Sequence, residues 1–508
     1  MVERRNEARS VAVRCDFAFT SHHSKTARAV LSPRLPLALP VNPDLNARRV
    51  NARLRKVLSQ LRLALAADEL RLDAATLQAH AGDKWFAAHP PDLVVLPKTP
   101  EAVATVLRIA HEHRVPVTPR GAGYGYVGGC VPVRGGIALS VAGMNRIKEI
   151  NPRDFVAVVE PGVITAKLQA AAEKRGLYYP PDPASRADCS LGGNIATNAG
   201  GPRCLKYGVT RDYVLGLQVA LADGRLVRLG SRCHKNKTGF DLHRMFVGSE
   251  GLLGIVTEAT LKLLPLPPYR ALIGVGFDST RGAARSLAAI FKAGFLPCAL
   301  EIADEFTLAA AYKRTKSEQL AGCRAMLFVE LDGQERSVRA ELADVEQLVA
   351  AQKPVFINRA FGGAAVESLW GLRREFSYSL RDTGLTKLNE DIVVPRGRLE
   401  ELFRFAVRLQ QQHGLPVACF GHAGDGNIHV NVMVDYAQPG NRARADAALD
   451  DLFKQILAWG GVITGEHGIG LAKKPWWPLA ANEDVRQLHR AVKRALDPRG
   501  ILNPGKFV

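Results

Sequence analysis

Residues 119–129 read Pro119-Arg-Gly-Ala-Gly-Tyr-Gly-Tyr-Val-Gly-Gly129. An apolar run at 115–118 leads straight into this stretch as a strand, and a further strand is expected at 137–140. The glycines at 121, 123 and 125 resemble a dinucleotide fingerprint, but the spacing Gly-x-Gly-x-Gly is not Gly-x-Gly-x-x-Gly. A nicotinamide loop should also open a helix inside a βαβ unit. Here more glycine and then a strand follow, which excludes that fold.

Two more glycine-rich segments lie within the next 130 residues: Ser190-Leu-Gly-Gly-Asn-Ile-Ala-Thr-Asn-Ala-Gly-Gly201 and Phe246-Val-Gly-Ser-Glu-Gly-Leu-Leu-Gly254. Closely spaced glycines bring backbone N–H groups near an anion and accept positive φ. Three such loops flanked by strands suggest a long phosphate-bearing cofactor lying across them, and FAD fits that length. The intervening sequence supports strands at 91–97, 155–159 and 255–264, helices at 99–113 and 165–175, and a hairpin at 214–229 around Asp223-Gly224. Thr99 caps the first helix and Pro100 suits its first position.

The chain has 508 residues, 47% hydrophobic and 23% charged. These globular values exclude a disordered chain, and no apolar run reaches the roughly 20 residues of a membrane span. The net charge is +19, of which residues 1–66 supply +9. No helix-turn-helix, zinc finger or aromatic-interleaved basic stripe accompanies it, so nucleic acid is not an expected partner. The eight cysteines form no Cys-x-x-Cys, which argues for a reducing compartment and against a close-spaced iron–sulfur cluster. Residues 1–45 read as a basic disordered leader in preference to a transit peptide; the second reading would make the protein mitochondrial, the first cytoplasmic. The basic amphipathic stretch 47–66 reads as a core-packing helix, with peripheral attachment to anionic lipid as the alternative. Pro265-Leu-Pro-Pro268 is the main expected domain boundary.

Beyond it, helices are expected at 281–293, 335–351, 398–413, 444–459 and 484–496, with a strand at 325–331. Gly421-His-Ala-Gly-Asp-Gly-Asn-Ile-His429 runs into an alternating strand, 428–434, on which His429, Asn431 and Met433 share one face. An unbroken strand would throw His422 and His429 to opposite faces, because seven is odd; the turn between them lets both point to one place. Thr464-Gly-Glu-His-Gly-Ile-Gly470 adds Glu466 and His467. Two histidines and a carboxylate suit Zn²⁺, Mn²⁺ or Fe²⁺. The residue types alone leave structural polar residues as an equal reading.

The runs Pro119-Arg-Gly-Ala-Gly, Asp182-Pro183, Gly192 to Gly201, Lys206-Tyr-Gly208 and Gly248-Ser-Glu-Gly251 resemble the FAD-binding domain of the vanillyl-alcohol oxidase / p-cresol methylhydroxylase flavoproteins. From about residue 50 to the closing Leu496-Asp-Pro-Arg-Gly-Ile-Leu-Asn-Pro-Gly-Lys506, the chain resembles their FAD-linked D-2-hydroxyacid dehydrogenase branch. The resemblance implies an α+β chain: a two-subdomain FAD-binding domain at 46–268, an α+β substrate (cap) domain with an antiparallel sheet at 269–460, and a segment 461–508 returning to the FAD domain. It implies FAD contacts at Pro119, Arg120, Gly121, Ala122, Gly123, Tyr124, Gly125, Asp182, Ser185, Gly192, Gly193, Asn194, Thr197, Asn198, Gly200, Gly201, Tyr207, Gly208, Glu250, Gly251, Gly254, Ile255 and Asn503. Relatives that bind FAD covalently use a histidine in the first loop, where this chain has Tyr124 and Tyr126, so FAD is expected to be noncovalent.

The resemblance also implies metal ligands at His422, His429 and Glu466 and a catalytic base at His467. Trp370-Gly-Leu-Arg-Arg-Glu375 matches the segment supplying a carboxylate clamp, so Arg373 is expected to hold the substrate, with Arg374, Lys387 and Asn431 as further candidates. The expected reaction oxidises a D-2-hydroxyacid of the lactate, glycolate or 2-hydroxyglutarate kind to the 2-oxoacid. A quinone, cytochrome, electron-transfer flavoprotein or iron–sulfur protein would take the electrons. Two alternatives share the architecture: a non-redox flavoenzyme of the alkylglycerone-phosphate synthase type, and an electron-passing subunit of a larger oxidase.

Overall fold

The computed structural model describes residues 43–508, with side chains from Ala52 onward; residues 1–42 of the expected leader lie outside the described residues. Helix Pro43–Ala64 carries the basic amphipathic stretch. Val57 and Leu61 are fully buried in one apolar cluster with Val103, Val106 and Leu107 of helix Pro100–His113. The core-packing reading of 47–66 is thus the one the fold uses. Thr99 Oγ1 accepts from the Ala102 N–H at 3.1 Å, as its position before Pro100 predicts.

Two sheets surround the glycine loops. The first orders Leu70–Arg71, Leu93–Val95, Ile137–Ser140 and Val117–Arg120, and its last three strands run parallel. The second is antiparallel and orders Ile147–Asn151, Val156–Val159, Ile255–Lys262, Val214–Ala220 and Leu226–Gly230. In Ile255–Lys262 burial alternates residue by residue, the period-2 signature of a strand with one face in the core. The segment 190–201 differs from the loop suggested by its small residues. Leu191–Thr197 is a helix, begun by Ser190, whose hydroxyl accepts from the Gly193 N–H at 3.4 Å. Its two glycines bear a local helix cost that the burial of Leu191 and Ile195 offsets.

The third sheet starts at Tyr269, directly after the proline-rich segment. Its seven antiparallel strands run in the order Phe356–Phe361, Tyr269–Phe277, Ala325–Gly333, Ala299–Asp304, Val417–His422, Asn427–Val434 and Thr386–Val393. Helices Thr280–Lys292, Glu335–Ala350, Leu399–His413 and Asn441–Ala458 cover one face. Helices Glu305–Thr315 and Gly363–Arg381 cover the other. Ile428, Val430 and Val432 point into the first cluster and Met433 into the second, the alternation read from the sequence. The C-terminal stretch touches both regions: Val462 bridges to Val393, and Leu502 bridges to Val117. Among the described residues no helix is long and apolar enough to cross a membrane.

Candidate active site

One cavity of about 580 Å³ runs from the glycine loops to the histidines of the third sheet. Its wall includes Pro119, Arg120, Gly121, Ala122, Gly123, Tyr124 and Gly125 from the first loop. Asp182, Ser185, Gly192, Gly193, Asn194, Thr197 and Gly200 follow, then Glu250, Gly251, Gly254 and Ile255. Backbone closeness explains the glycines. A Cβ on Gly121 would stand 2.4 Å from Ser190 Oγ. That hydroxyl accepts from the Ala122 N–H at 3.2 Å and so ties the first loop to the second. The long, glycine-walled trough fits an extended dinucleotide.

Five expected cofactor contacts do not line this cavity. Asn198 is the left-handed cap of the 191–197 helix, and its Oδ1 accepts from the Arg211 N–H at 2.8 Å. Gly201 lies against Asp182, and Gly208 against Asp212. Tyr207 donates its hydroxyl to Asp332 at 2.6 Å. Asn503 donates to the carbonyls of Gly129 and Glu250 at 2.9 and 2.7 Å, which braces two loops from behind. Each is tied to protein groups and shapes the trough from outside.

At the other end the hairpin Val417–His422 / Asn427–Val434 brings the two histidines together. Their rings are 5.5 Å apart. Glu466 Oε1 lies 3.8 Å from His422 Nε2 and 3.7 Å from His429 Nε2, and one donor atom from each of the three residues falls within 4.8 Å of the others. Ligands around a tetrahedral centre with bonds near 2.1 Å would stand roughly 3.4 Å apart, so these donor atoms could hold a metal ion once drawn closer together. The chemistry of the donor set fits Zn²⁺ or its first-row neighbours.

The supporting groups are ones that sequence spacing does not reveal. Glu301, from a different strand, accepts from His422 Nδ1 at 2.5 Å, the carboxylate–imidazole arrangement that orients a metal-binding histidine. Burial pushes Glu301 up, but His422 and Arg373 together hold it down at about 2. Burial works against a charged His422, and Glu301 nevertheless raises it well above the ordinary value. Burial drives His429 down to about 3.

Asp391 organises the last loop. One carboxylate oxygen accepts from Thr464 Oγ1 and from the N–H groups of Gly465, Glu466 and His467 at 2.8–3.0 Å. Lys473, 1% exposed, donates to the Asp391 carbonyl and sits 3.8 Å from its carboxylate. Burial would raise Asp391, but His467, Lys473 and these N–H groups hold it well below the carboxylate range. Glu250 holds the same loop from the glycine-loop side, accepting from the Ile469 and Gly470 N–H groups at 2.7 and 2.8 Å. Asp391→Ala removes the carboxylate beside a buried ammonium and leaves three backbone donors unmatched. The expected loss is roughly 3–5 kcal/mol of stability in denaturant unfolding, and a loss below about 1 kcal/mol would show that the loop is held otherwise.

His467 lies beside this cluster, its ring stacked on His429 at 5.5 Å and against Tyr126 at 5.3 Å. Burial lowers its pKa, so the imidazole is neutral and can accept a proton at neutral pH. Arg373 lines the cavity, but its Nε and a terminal nitrogen both sit 2.6 Å from Glu301, and its guanidinium lies over Phe420. Glu301 thus already faces the guanidinium that the resemblance offers as the clamp, and Arg373 keeps its place on the cavity wall. Arg374 is matched by Glu367 at 3.1 Å. Lys387 bonds Ser377 Oγ at 2.8 Å, off the cavity wall. Asn431 is fully buried, and its amide donates to the carbonyls of Ala418 and His429. It stands behind His429 and outside the cavity.

Comparison with known proteins agrees with this layout. Residues 91–230 match the family described as FAD binding domain, and residues 266–507 match FAD linked oxidases, C-terminal domain. The glycolate oxidase subunit GlcD of Bacillus subtilis is 38% identical over 82% of the chain and 89% of that protein. D-lactate dehydrogenase of Anaerostipes hadrus is 33% identical, with the same coverage of each. Among solved structures, p-cresol methylhydroxylase with substrate bound superposes with a TM-score of 0.75 at 21% identity, over 90% of this chain and 97% of that one.

Proposed function

The chain belongs to the FAD-linked oxidases, and from that premise we propose that it oxidises a D-2-hydroxyacid of the lactate or glycolate kind to the 2-oxoacid and passes the electrons to an external acceptor. The observation that carries the reading is the convergence of His422, His429, Glu466 and His467 at the end of a glycine-walled cavity. Pro119–Gly125 and the 192–200 and 250–255 segments would hold FAD noncovalently; His422, His429 and Glu466 would hold a divalent cation, Zn²⁺ before Mn²⁺ or Fe²⁺. When bound, the flavin supplies a hydride acceptor and the cation a Lewis acid for the substrate hydroxyl.

The chain's own groups account for the rest. His467 takes the hydroxyl proton, because burial keeps its ring neutral and the Asp391 loop fixes its backbone. Glu301 holds the His422 ring through Nδ1 and leaves Nε2 facing Glu466. Arg373 acts through Glu301 as a positioning residue. Lys387 adds positive charge near His467.

A panel of D- and L-2-hydroxyacids with a dye acceptor, run on metal-analysed protein, tests the reading. D-Lactate or glycolate should bleach the flavin; a flavin that no 2-hydroxyacid reduces would remove it. Acid or heat should release the FAD, because the first loop offers Tyr124 and Tyr126 and no histidine. Flavin that stays on the denatured polypeptide would refute noncovalent binding.

A further inference from the structure

Asp83 lies on the cavity wall, and the protein uses only one of its two carboxylate oxygens. Oδ1 accepts from the Trp85 N–H at 2.9 Å and closes a local turn. Oδ2 is buried and has no hydrogen-bond partner among the described residues. It rests against the first glycine loop: a Cβ on Gly125 would stand 3.2 Å from it, and the neighbouring Lys84 N–H donates to the Gly125 carbonyl at 2.9 Å. The cations around it are directed elsewhere. Arg120 donates to the carbonyls of Ala79 and Gly82 and to Cys130. Lys506 donates to the Val131 carbonyl, and the Lys84 ammonium lies over the Tyr124 ring. Burial pushes the Asp83 carboxyl up to about 6, although the nearby Trp85 and Gly129 N–H groups and Arg120 pull it down. A buried acceptor without a donor is costly, and here it faces a cavity shaped for a ligand.

The place of Asp83 on the wall decides which part of the cofactor it meets. Tyr126, next to Gly125, packs against His467. Trp85 and Leu471, the latter from the His467 loop, both flank Gly128. Asp83 therefore belongs to the histidine end of the trough, where the flavin ring must lie for a hydride to reach it. The pyrophosphate suits the backbone N–H groups of the glycine loops, and a carboxylate would repel it. Resting on the flavin part of the reading above, we propose that Asp83 is a positioning residue for the flavin ring: its Oδ2 accepts a hydrogen bond from a ring N–H, and its negative charge makes the flavin harder to reduce. A negative charge beside the ring disfavours the electron-rich state. The reduced flavin is then a stronger donor to the external acceptor.

The test reads the flavin without any hydroxyacid. The FAD-loaded full chain is reduced with dithionite against a reference dye of known potential, above neutral pH, where Asp83 is charged. Asp83→Asn keeps an oxygen for the Trp85 N–H and removes only the charge. Its reduction equilibrium should shift roughly tenfold toward the reduced flavin, an upward change of about 30 mV in the two-electron couple. Asp83→Ala should show the same shift, with unfolding followed to account for the lost turn. Weaker FAD retention by folded Asp83→Asn would also support the contact. A reduction equilibrium within twofold of wild type, with equal FAD retention, would overturn the assignment and leave the oxidation reading untouched. A shifted potential in protein that no 2-hydroxyacid reduces would sink the oxidation reading alone. Wild-type protein that takes up no FAD would remove both.

Discussion

His467→Ala should slow bleaching of the flavin by substrate roughly 10²–10⁴-fold, the usual contribution of a positioned general base. The side chain lies between Tyr126 and His429, and its backbone N–H is held by Asp391. Removing the ring therefore takes away the proposed proton acceptor while the loop keeps its anchor. Glu466→Gln should behave differently, because Glu466 Oε1 is the point shared by His422 and His429; metal content should fall before anything else. Stopped-flow bleaching isolates this half-reaction from reoxidation by the acceptor. Reduction at the wild-type rate in His467→Ala, with metal and FAD retained, would take His467 out of the mechanism.

The second large effect is expected from His422→Ala combined with His429→Ala. Turnover should fall to background and bound metal should be lost, while FAD stays. The glycine loops that would hold the cofactor belong to the two N-terminal sheets, and the histidines to the hairpin of the third. Chelation of the wild-type protein should reproduce the loss, and added Zn²⁺ or Mn²⁺ should reverse it. Full turnover by metal-free protein would show the histidines to be structural. His422→Ala also leaves Glu301 without its imidazole partner. Unfolding of the double variant should be followed alongside, because Glu301 then relies on Arg373 alone.

Much of the architecture was legible because it is written in short-range patterns. The strand 428–434 alternates by two and buries its faces accordingly. Thr99-Pro100 marks the helix start where the cap forms. The break between His422 and His429 does turn the chain and set both rings together. The segment 190–201 misled because small residues suggest a loop, while burial of Leu191 and Ile195 holds a helix there. Arg373 does lie on the cavity wall, but spacing says nothing of the carboxylate that meets it from another strand.

By itself, the sequence determined where the glycines, histidines and base candidates stand, the α+β class and the flavoprotein family. These follow from local periodicity and from motifs whose chemistry is carried by the residues themselves. Only the tertiary structure decided which charges are already matched. Glu301 reaches His422 across 121 positions, Asp391 reaches His467 across 76 and Glu250 reaches Ile469 across 219. Electrostatic energy depends on distance through space, and chain separation does not encode it. Thus, among the described residues, Arg373 meets a carboxylate within ion-pair distance and Arg381 does not, although both lie on one helix eight residues apart.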